Sequence, residues 1–331
     1  MSARVVAYAI VGIALVLALV AAVAYPGSVA AQPAPAAPDR VQARTTLRVG
    51  MLPVTAYLGL YVAREQGWFQ EEGLDLDVQI MAGGAEIIPA MIGGSLDLGI
   101  VNTFSHVLAR DRGFDVRAVA ASASEARGNP THAILVGSNS SIQSARDLEG
   151  RTFGINTLNN IDHLMVQIWL RDNGADPQRV NFVEIPFPQH PAAIAQGRVD
   201  AIGPTEPFVT VALSQGARVL AYHYTDTNPT TLLGYYAATG DWLSRNPAQA
   251  RGFANAIHRA NSYLEANPEE KRAAAVRHLN ISPEVAARMN IEALETRIDP
   301  AGIQWWIDAG RQFNLVDRPL TPDDFLWETV R

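Results

Sequence analysis

Four polar side chains, Asn156, Thr157, Asn159 and Asn160, fall within five positions of GINTLNNIDHL, where an apolar pulse gives way to a helical pattern. A helix start needs one such cap, so the excess marks a place that can hold something as well as begin a helix. The unpaired amides and positive dipole end of a helix N-terminus suit a sulfonate, carboxylate or phosphate. Comparable loops recur along the chain. LPVTAY holds Pro53, Thr55 and Tyr57, MAGGAE holds Gly83 and Gly84, and VNTFS holds Asn102 and Thr103. SASEARGNPTH holds Ser124 and His132, and PTEPF holds Glu206 and Phe208. Glu206 offers an opposite pole for a cationic or hydrogen-bond-donating group, and Tyr57 and Phe208 can sandwich a flat or apolar ligand body.

Each feature also has a plainer reading. Thr55, Asn156 and Thr157 can be caps alone, and Gly83 with Gly84 can merely permit a turn. Glu206 can be a solvated loop charge and His132 a structural histidine. Catalytic signals are poor: the chain has no G-x-S-x-G elbow, no G-x-x-x-x-G-K-[ST] loop and no H-E-x-x-H pair. The 7 histidines are scattered without metal spacing. The expectation is therefore no catalytic residue, no metal and no cofactor.

A scaffold must bring these loops together. From Leu47, LRVGML reads as a strand, YLGLYVAREQGWF as a helix ending at Gly67, and LDLDVQI as a strand with Leu74, Leu76, Val78 and Ile80 on one face. EIIPAMIGGS is a helix stopped by glycines and LDLGIV the next strand. Strand, helix, strand, helix, strand implies parallel pairing and an α/β domain. The same order recurs in RTFGIN, IDHLMVQIWLRDNG, VNFVEIP, PAAIAQG and VDAIG. Gly50 matches Gly154 at an offset of 104, and AMIGGSLDLGI (90–100) lies over AIAQGRVDAIG (193–203) at an offset of 103. That second alignment pairs Gly94 with Gly197 and Asp97 with Asp200, so the chain reads as two similar lobes. In parallel α/β sheets ligands bind outside the carboxyl ends of the strands, and the polar loops all leave from those ends.

At 331 residues the chain has room for two domains, and 48% hydrophobic with 18% charged residues is a globular composition. A net charge of −7 without a basic cluster argues against nucleic acid, while backbone amides can still bind a small anion. The absence of cysteine excludes disulfides, thiolate nucleophiles, cysteine–zinc sites and a lipidated N-terminal cysteine. Arg4, the apolar run Val5 to Tyr25 and the small residues up to Ala31 make residues 1–31 an export signal or membrane anchor. The run exceeds the roughly 7–15 residues of a usual signal core and approaches the roughly 20 that span a bilayer. Residues 32–44, rich in Pro and Ala, read as a tether. After Gly234 the pattern turns mostly helical and reads as a tail wrapping back onto the first lobe. The expected organisation is lobe one from 45–133 and 237–331, and lobe two from 134–236. HAILVG (132–137) and LGYYAAT (233–239) are the expected crossing points between them.

The stretch LRVGMLPVTAYLGLYVAREQGWFQEEGLDLDVQIMAGGAEIIPAMIGGSLDLGIVN, then SARDLEGRTFGIN, then PAAIAQGRVDAIGPTEPF, resembles the solute-binding proteins of ABC importers for sulfonates, taurine, nitrate and thiamine-precursor pyrimidines. The resemblance covers about residues 47–331 and rests on the order of its motifs: A-x-x-x-G-x-x-D, DL-x-G, and a second G-x-x-D-A. It implies a two-lobed type II periplasmic-binding-protein fold with two hinge crossings. It also implies a monomer that receives a small-molecule ligand and docks on permease and ATPase subunits. Ligand would be held by Pro53, Thr55, Tyr57, Gly83, Gly84, Asn102, Thr103, Asn156, Thr157 and the loop carrying Glu206. The chain lacks the lipobox cysteine of many such proteins. It also has Asn-Thr-Leu-Asn-Asn where sulfonate binders often carry smaller Gly/Ser-rich turns, which points to a ligand with more hydrogen-bonding groups.

The leading expectation is an extracytoplasmic binding protein that captures a small organic anion, a sulfonate, carboxylate or related solute, between its lobes. One alternative is a binder of a thiamine-precursor pyrimidine or other heterocycle. A pyrimidine-forming enzyme of the same fold is disfavoured, because the resemblance implies cysteine-dependent chemistry for that group. A further alternative is a ligand sensor anchored by residues 5–25.

Overall fold

The structure, a computed structural model, describes residues 44–330. The export segment 1–31 and all of the 32–44 tether except Arg44 lie outside the described residues. Among the described residues no helix is long and apolar enough to cross a membrane.

Among the described residues eleven strands form two sheets. In the first, β1 (Thr45–Met51) lies between β2 (Leu74–Ile80) and β3 (Leu98–Asn102), all parallel, with Val49 opposite both Val78 and Leu98. Beyond β3 come β10 (Thr230–Thr239), β4 (Val116–Ala126) and the short β11 (Ala293–Leu294). In the second sheet β6 (Thr152–Ile155) lies between β7 (Asn181–Glu184) and β8 (Ala201–Ile202), with Phe153 opposite Phe182 and Ala201. There β5 (Ile134–Val136) and β9 (Arg218–Ala221) follow. The orders β2-β1-β3-β10-β4 and β7-β6-β8-β5-β9 correspond strand for strand. In each sheet the antiparallel strand beside β3 or β8 is the one that arrives from the other lobe.

The repeated A-x-x-x-G-x-x-D run has a physical basis. Gly94 and Gly197 have φ of 75° and 65°, a left-handed conformation that glycine adopts at little cost when it ends a helix. Three residues on, each aspartate ties down the strand that leads the repeat, at Arg48 in the middle of β1 and at Thr152 at the start of β6. Asp97 accepts from the Arg48 amide at 2.8 Å, and Asp200 accepts from the Thr152 amide at 2.9 Å. In both repeats the aspartate amide returns a bond to the same strand residue's carbonyl at 2.9 Å.

The expected strand with Leu74, Leu76, Val78 and Ile80 on one face is β2, which as the sheet edge buries Leu74 and leaves Ile80 58% exposed. One expectation needs correction. The pulses HAILVG and LGYYAAT are mostly strands inside the two sheets, and the chain changes lobe just before each, at residues 127–133 and 222–229. The return therefore falls ahead of the expected 236/237 boundary, since Thr230–Tyr236 already pair with β4.

The tail packs on the first sheet. Its long helix Pro247–Ala266 buries Phe253, Ile257, Ala260 and Leu264, with Phe253 meeting Phe69 and Tyr236 at ring separations of 5.3 Å. Trp306, fully buried, donates from Nε1 to the Leu232 carbonyl at 2.9 Å. The helix Ile161–Asp172 of the second lobe turns Ile161, Leu164, Met165 and Ile168 into this same apolar core. The lobes thus meet through apolar side chains beside the crossings, with the polar loops converging next to them.

Candidate ligand-binding cleft

The loops after β1, β2 and β3 face those after β6, β7 and β8 across a cavity of about 50 Å3. Tyr57, Gly83, Gly84, Asn102, His132 and Asn156 of the expected residues line it. Hydrogen bonds join the loops of the two lobes beside the cavity. Thr55 donates its amide and hydroxyl to the Glu206 carbonyl at 3.4 and 3.2 Å. Asn156 donates from Nδ2 to the Ala82 carbonyl at 3.2 Å.

The Asn/Thr cluster divides its labour. Asn160 caps the helix, its Oδ1 accepting the His163 amide at 2.9 Å, while its Nδ2 donates to Asn156 Oδ1 at 2.7 Å. Thr157 is buried against Gly83, and its hydroxyl has no hydrogen-bond partner. Asn159 is exposed at a φ of 54° and forms the turn. It does not reach the cavity.

Several expected residues stand behind the lining. Thr103 is buried and donates to the Leu232 carbonyl at 3.2 Å. Asn102, itself in the lining, also caps the helix at Thr103–Asp111 by accepting the Ser105 amide at 2.8 Å. Pro53 is half-buried outside the lining, and Ser124 lies on β4 opposite Leu232 and Ala293. Glu206 turns its carboxylate to Thr210, accepting the amide at 3.0 Å and the hydroxyl at 2.8 Å. Phe208 stacks on Phe187 with centroids 6.5 Å apart. Phe187, not Phe208, is the aromatic residue that lines the cavity with Tyr57.

Other groups are added by the tertiary fold. His132, on the first crossing, holds Glu125 through Nδ1 at 2.5 Å, and Thr131 donates to the same carboxylate oxygen at 2.8 Å. The His132 ring stacks on Tyr224 of the second crossing with centroids 4.1 Å apart. Tyr224 in turn donates to Asp162 at 2.8 Å, and Asp162 lies 4.0 Å from His132 Nε2. Glu292 comes from the tail, where Lys271 Nζ donates to its backbone carbonyl at 2.5 Å. Glu125, Asp162, Glu206 and Glu292 are each 2% exposed or less.

Burial sets the protonation of this group. It disfavours the imidazolium of His132, but the Glu125 carboxylate, with Asp162 and Glu292, outweighs it and raises His132 to about 9. Burial raises Asp162 to about 6, offset in part by His132 and the Tyr224 hydroxyl. It raises Glu206 to about 7 against the opposing bonds from Thr210. Glu292 is also pushed up by burial, with the nearby Thr55 hydroxyl and His132 acting the other way. Among the described residues no arginine or lysine lines the cavity.

A model of the NMT1/THI5-like family matches residues 54–271. The chain belongs to the NMT1/THI5-like family. Among its relatives is a formylaminopyrimidine-binding protein of Halalkalibacterium halodurans, 28% identical over 150 residues that cover 45% of this chain and 44% of that protein. A 4-amino-5-hydroxymethyl-2-methylpyrimidine phosphate synthase of Saccharomyces cerevisiae is 22% identical over 68% of each chain. The periplasmic aliphatic sulphonate binding protein of Escherichia coli superposes with a TM-score of 0.67 at 21% identity, covering 86% of this chain and 98% of that one. The NMT1/THI5-like chain therefore has the two-lobed type II periplasmic-binding-protein fold. Its Glu292 and β11 lie beyond the matched family region.

Proposed function

We propose that the protein is the extracytoplasmic substrate-binding component of an ABC importer, which holds a small organic solute between its lobes and presents it to permease and ATPase subunits. The observation that carries this reading is the pair of direct interlobe bonds, Thr55 to Glu206 and Asn156 to Ala82, made by equivalent loops on either side of a small cavity. Small-molecule sites commonly span about 300–1,000 Å3, so a cavity of about 50 Å3 must widen by separation of the lobes before ligand enters. Closure then adds contacts available only in the closed state, and these stabilise it. The charged groups of the lining are Asp162 and the protonated His132, with no arginine or lysine. His132 is already held by Glu125, and Asn102 and Asn160 already occupy helix-start amides, so an organic anion finds few free partners. A heterocycle with N–H donors suits the asparagines and Asp162 better.

Thermal-shift screening of the exported chain against sulfonates, carboxylates and pyrimidines tests the class. At least one compound should raise the melting temperature, with small-angle scattering showing compaction. No shift with any of them, and no small molecule retained from an extract in native mass spectrometry, removes the binding-protein reading.

A further inference from the structure

Two side chains of the cavity lining set opposite hydrogen-bonding characters side by side. His132, on the first crossing, and Asp162, in the first turn of the second lobe's helix Ile161–Asp172, both line it. Each is held from behind by another residue. Glu125 takes His132 Nδ1 at 2.5 Å, and the Tyr224 hydroxyl donates to Asp162 Oδ1 at 2.8 Å. The His132 and Tyr224 rings also stack, with centroids 4.1 Å and planes 22° apart, so one residue of the second crossing fixes both. His132 Nε2 and Asp162 Oδ1 stand 4.0 Å apart, beyond the roughly 3.2 Å reach of an ordinary hydrogen bond. They do not satisfy each other. With Nδ1 taken up by Glu125, Nε2 is the remaining donor of the imidazolium, and a carboxylate that has accepted one hydroxyl keeps further acceptor capacity.

This order of donor and acceptor discriminates among ligands. A ligand carboxylate would accept from His132 but bring a second negative charge against Asp162. An ammonium group would suit Asp162 and meet the imidazolium. A neutral edge with an acceptor next to an N–H satisfies both, as in an amide, a lactam or a ring nitrogen beside an amino group. Tyr57 and Phe187 supply aromatic lining for the plane that carries such an edge. We propose that His132 and Asp162 are the specificity pair of the cleft, His132 donating to a ligand acceptor and Asp162 accepting from the adjacent ligand N–H, with Tyr224 as the positioning residue that sets their spacing. This rests on the binding-protein reading and deepens it by naming the polar edge through which the ligand is recognised.

At pH 8 His132, raised to about 9, holds its proton and Asp162, raised to about 6, is ionised. Calorimetric titration of the full exported chain at that pH tests the pair with 2-aminopyrimidine and benzamide, which carry the complete edge. Pyrimidine and acetophenone lack the N–H, aniline lacks the acceptor, and benzoate is the matched anion. At least one complete edge should bind, about tenfold or more tighter than its stripped counterpart, as expected for a hydrogen bond to a charged group. Asp162→Asn keeps an oxygen for Tyr224 but sets an amide N–H2 where the carboxylate accepted. It should lower the affinity ratio of 2-aminopyrimidine to pyrimidine, or of benzamide to acetophenone, by about tenfold. Tyr224→Phe keeps the ring stack without the hydroxyl and should lower the same ratio by about threefold. A merely structural role for these residues would change all affinities in proportion and leave the ratio unmoved, which overturns the proposal. Tighter binding of benzoate than of benzamide overturns it while leaving the binding-protein reading in place. Failure of both complete edges to bind also overturns it, and the sulfonate, carboxylate and pyrimidine screen then decides separately whether that broader reading survives.

Discussion

Thr55, at the end of the first loop of lobe one, gives both its amide and its hydroxyl to the carbonyl oxygen of Glu206 in lobe two, at 3.4 and 3.2 Å. A side chain and a backbone group 151 positions apart thus report directly on whether the lobes are together. Thr55→Val keeps the shape and the amide but removes the hydroxyl bond. A neutral hydrogen bond contributes about 1 kcal/mol net, so ligand affinity should fall by roughly fivefold. Scattering of the ligand-free variant should show a larger average radius. An unchanged affinity and radius would mean that the contact follows closure without stabilising it.

Gly83 tests closure by bulk. Its φ of 168° is extended backbone that any residue adopts, so a side chain there adds no local strain. A Cβ would stand 3.2 Å from Thr157 Oγ1 and 3.3 Å from Asn156 Nδ2, both on the opposite lobe. Gly83→Leu should therefore hold the lobes apart. Binding should weaken by about 100-fold or more, as expected when the closed state loses roughly 3 kcal/mol to overpacking, while the melting temperature of the free protein changes little. A variant that unfolds early with proportionate loss of binding would instead show that Gly83 serves the fold.

The scaffold is legible in the sequence where local chemistry repeats. Gly94 and Gly197, with Asp97 and Asp200, perform the same turn and the same strand anchoring, so one chain displays its own duplication. The cleft is legible where a loop directly follows a strand, as at Tyr57, Gly83, Asn102 and Asn156. It is not legible at Glu292, whose position depends on a tail returning across the first sheet and being pinned by Asn290 and Lys271. Asp162 is hidden for another reason. An acid in the first turn of a helix reads as a dipole partner, and its burial arises only when Tyr224 arrives from the second crossing. Phe187 and Phe208 both follow strands of lobe two, and the orientation of short helical turns decides which one faces the cavity.

The asparagine cluster separates binding from folding residue by residue. Asn156 spans the lobes, so Asn156→Ala should weaken ligand by roughly three- to tenfold, about one hydrogen bond, with a small loss of melting temperature. Asn160 caps a twelve-residue helix and orients Asn156, so Asn160→Ala should cost about 1 kcal/mol of stability as well as affinity. Asn159 is exposed in a left-handed turn. Asn159→Gly should leave both quantities close to those of the unaltered protein. Paired thermal and calorimetric measurements rank the three, and equal effects at Asn156 and Asn159 would remove the interlobe role.

Glu206 predicts the pH dependence. Its carboxyl titrates at about 7 in the folded protein against an ordinary 4.5, chiefly through burial. The folded state therefore holds this proton more tightly than the unfolded chain does. The associated stability is complete below about pH 4.5 and is lost as pH rises through about 7. Asp162, raised to about 6, acts with the same sign, and His132, raised to about 9, stays charged across this range. The buried His106, His190 and His223 and the half-buried His163, all held low, act with the opposite sign, but they are common to any pair of variants and cancel in a difference. Glu206→Gln has no proton to lose. Its melting temperature relative to the unaltered protein should thus rise by about 3–5 °C between pH 5 and pH 8. A difference that is flat with pH would place the Glu206 carboxyl in water-like surroundings.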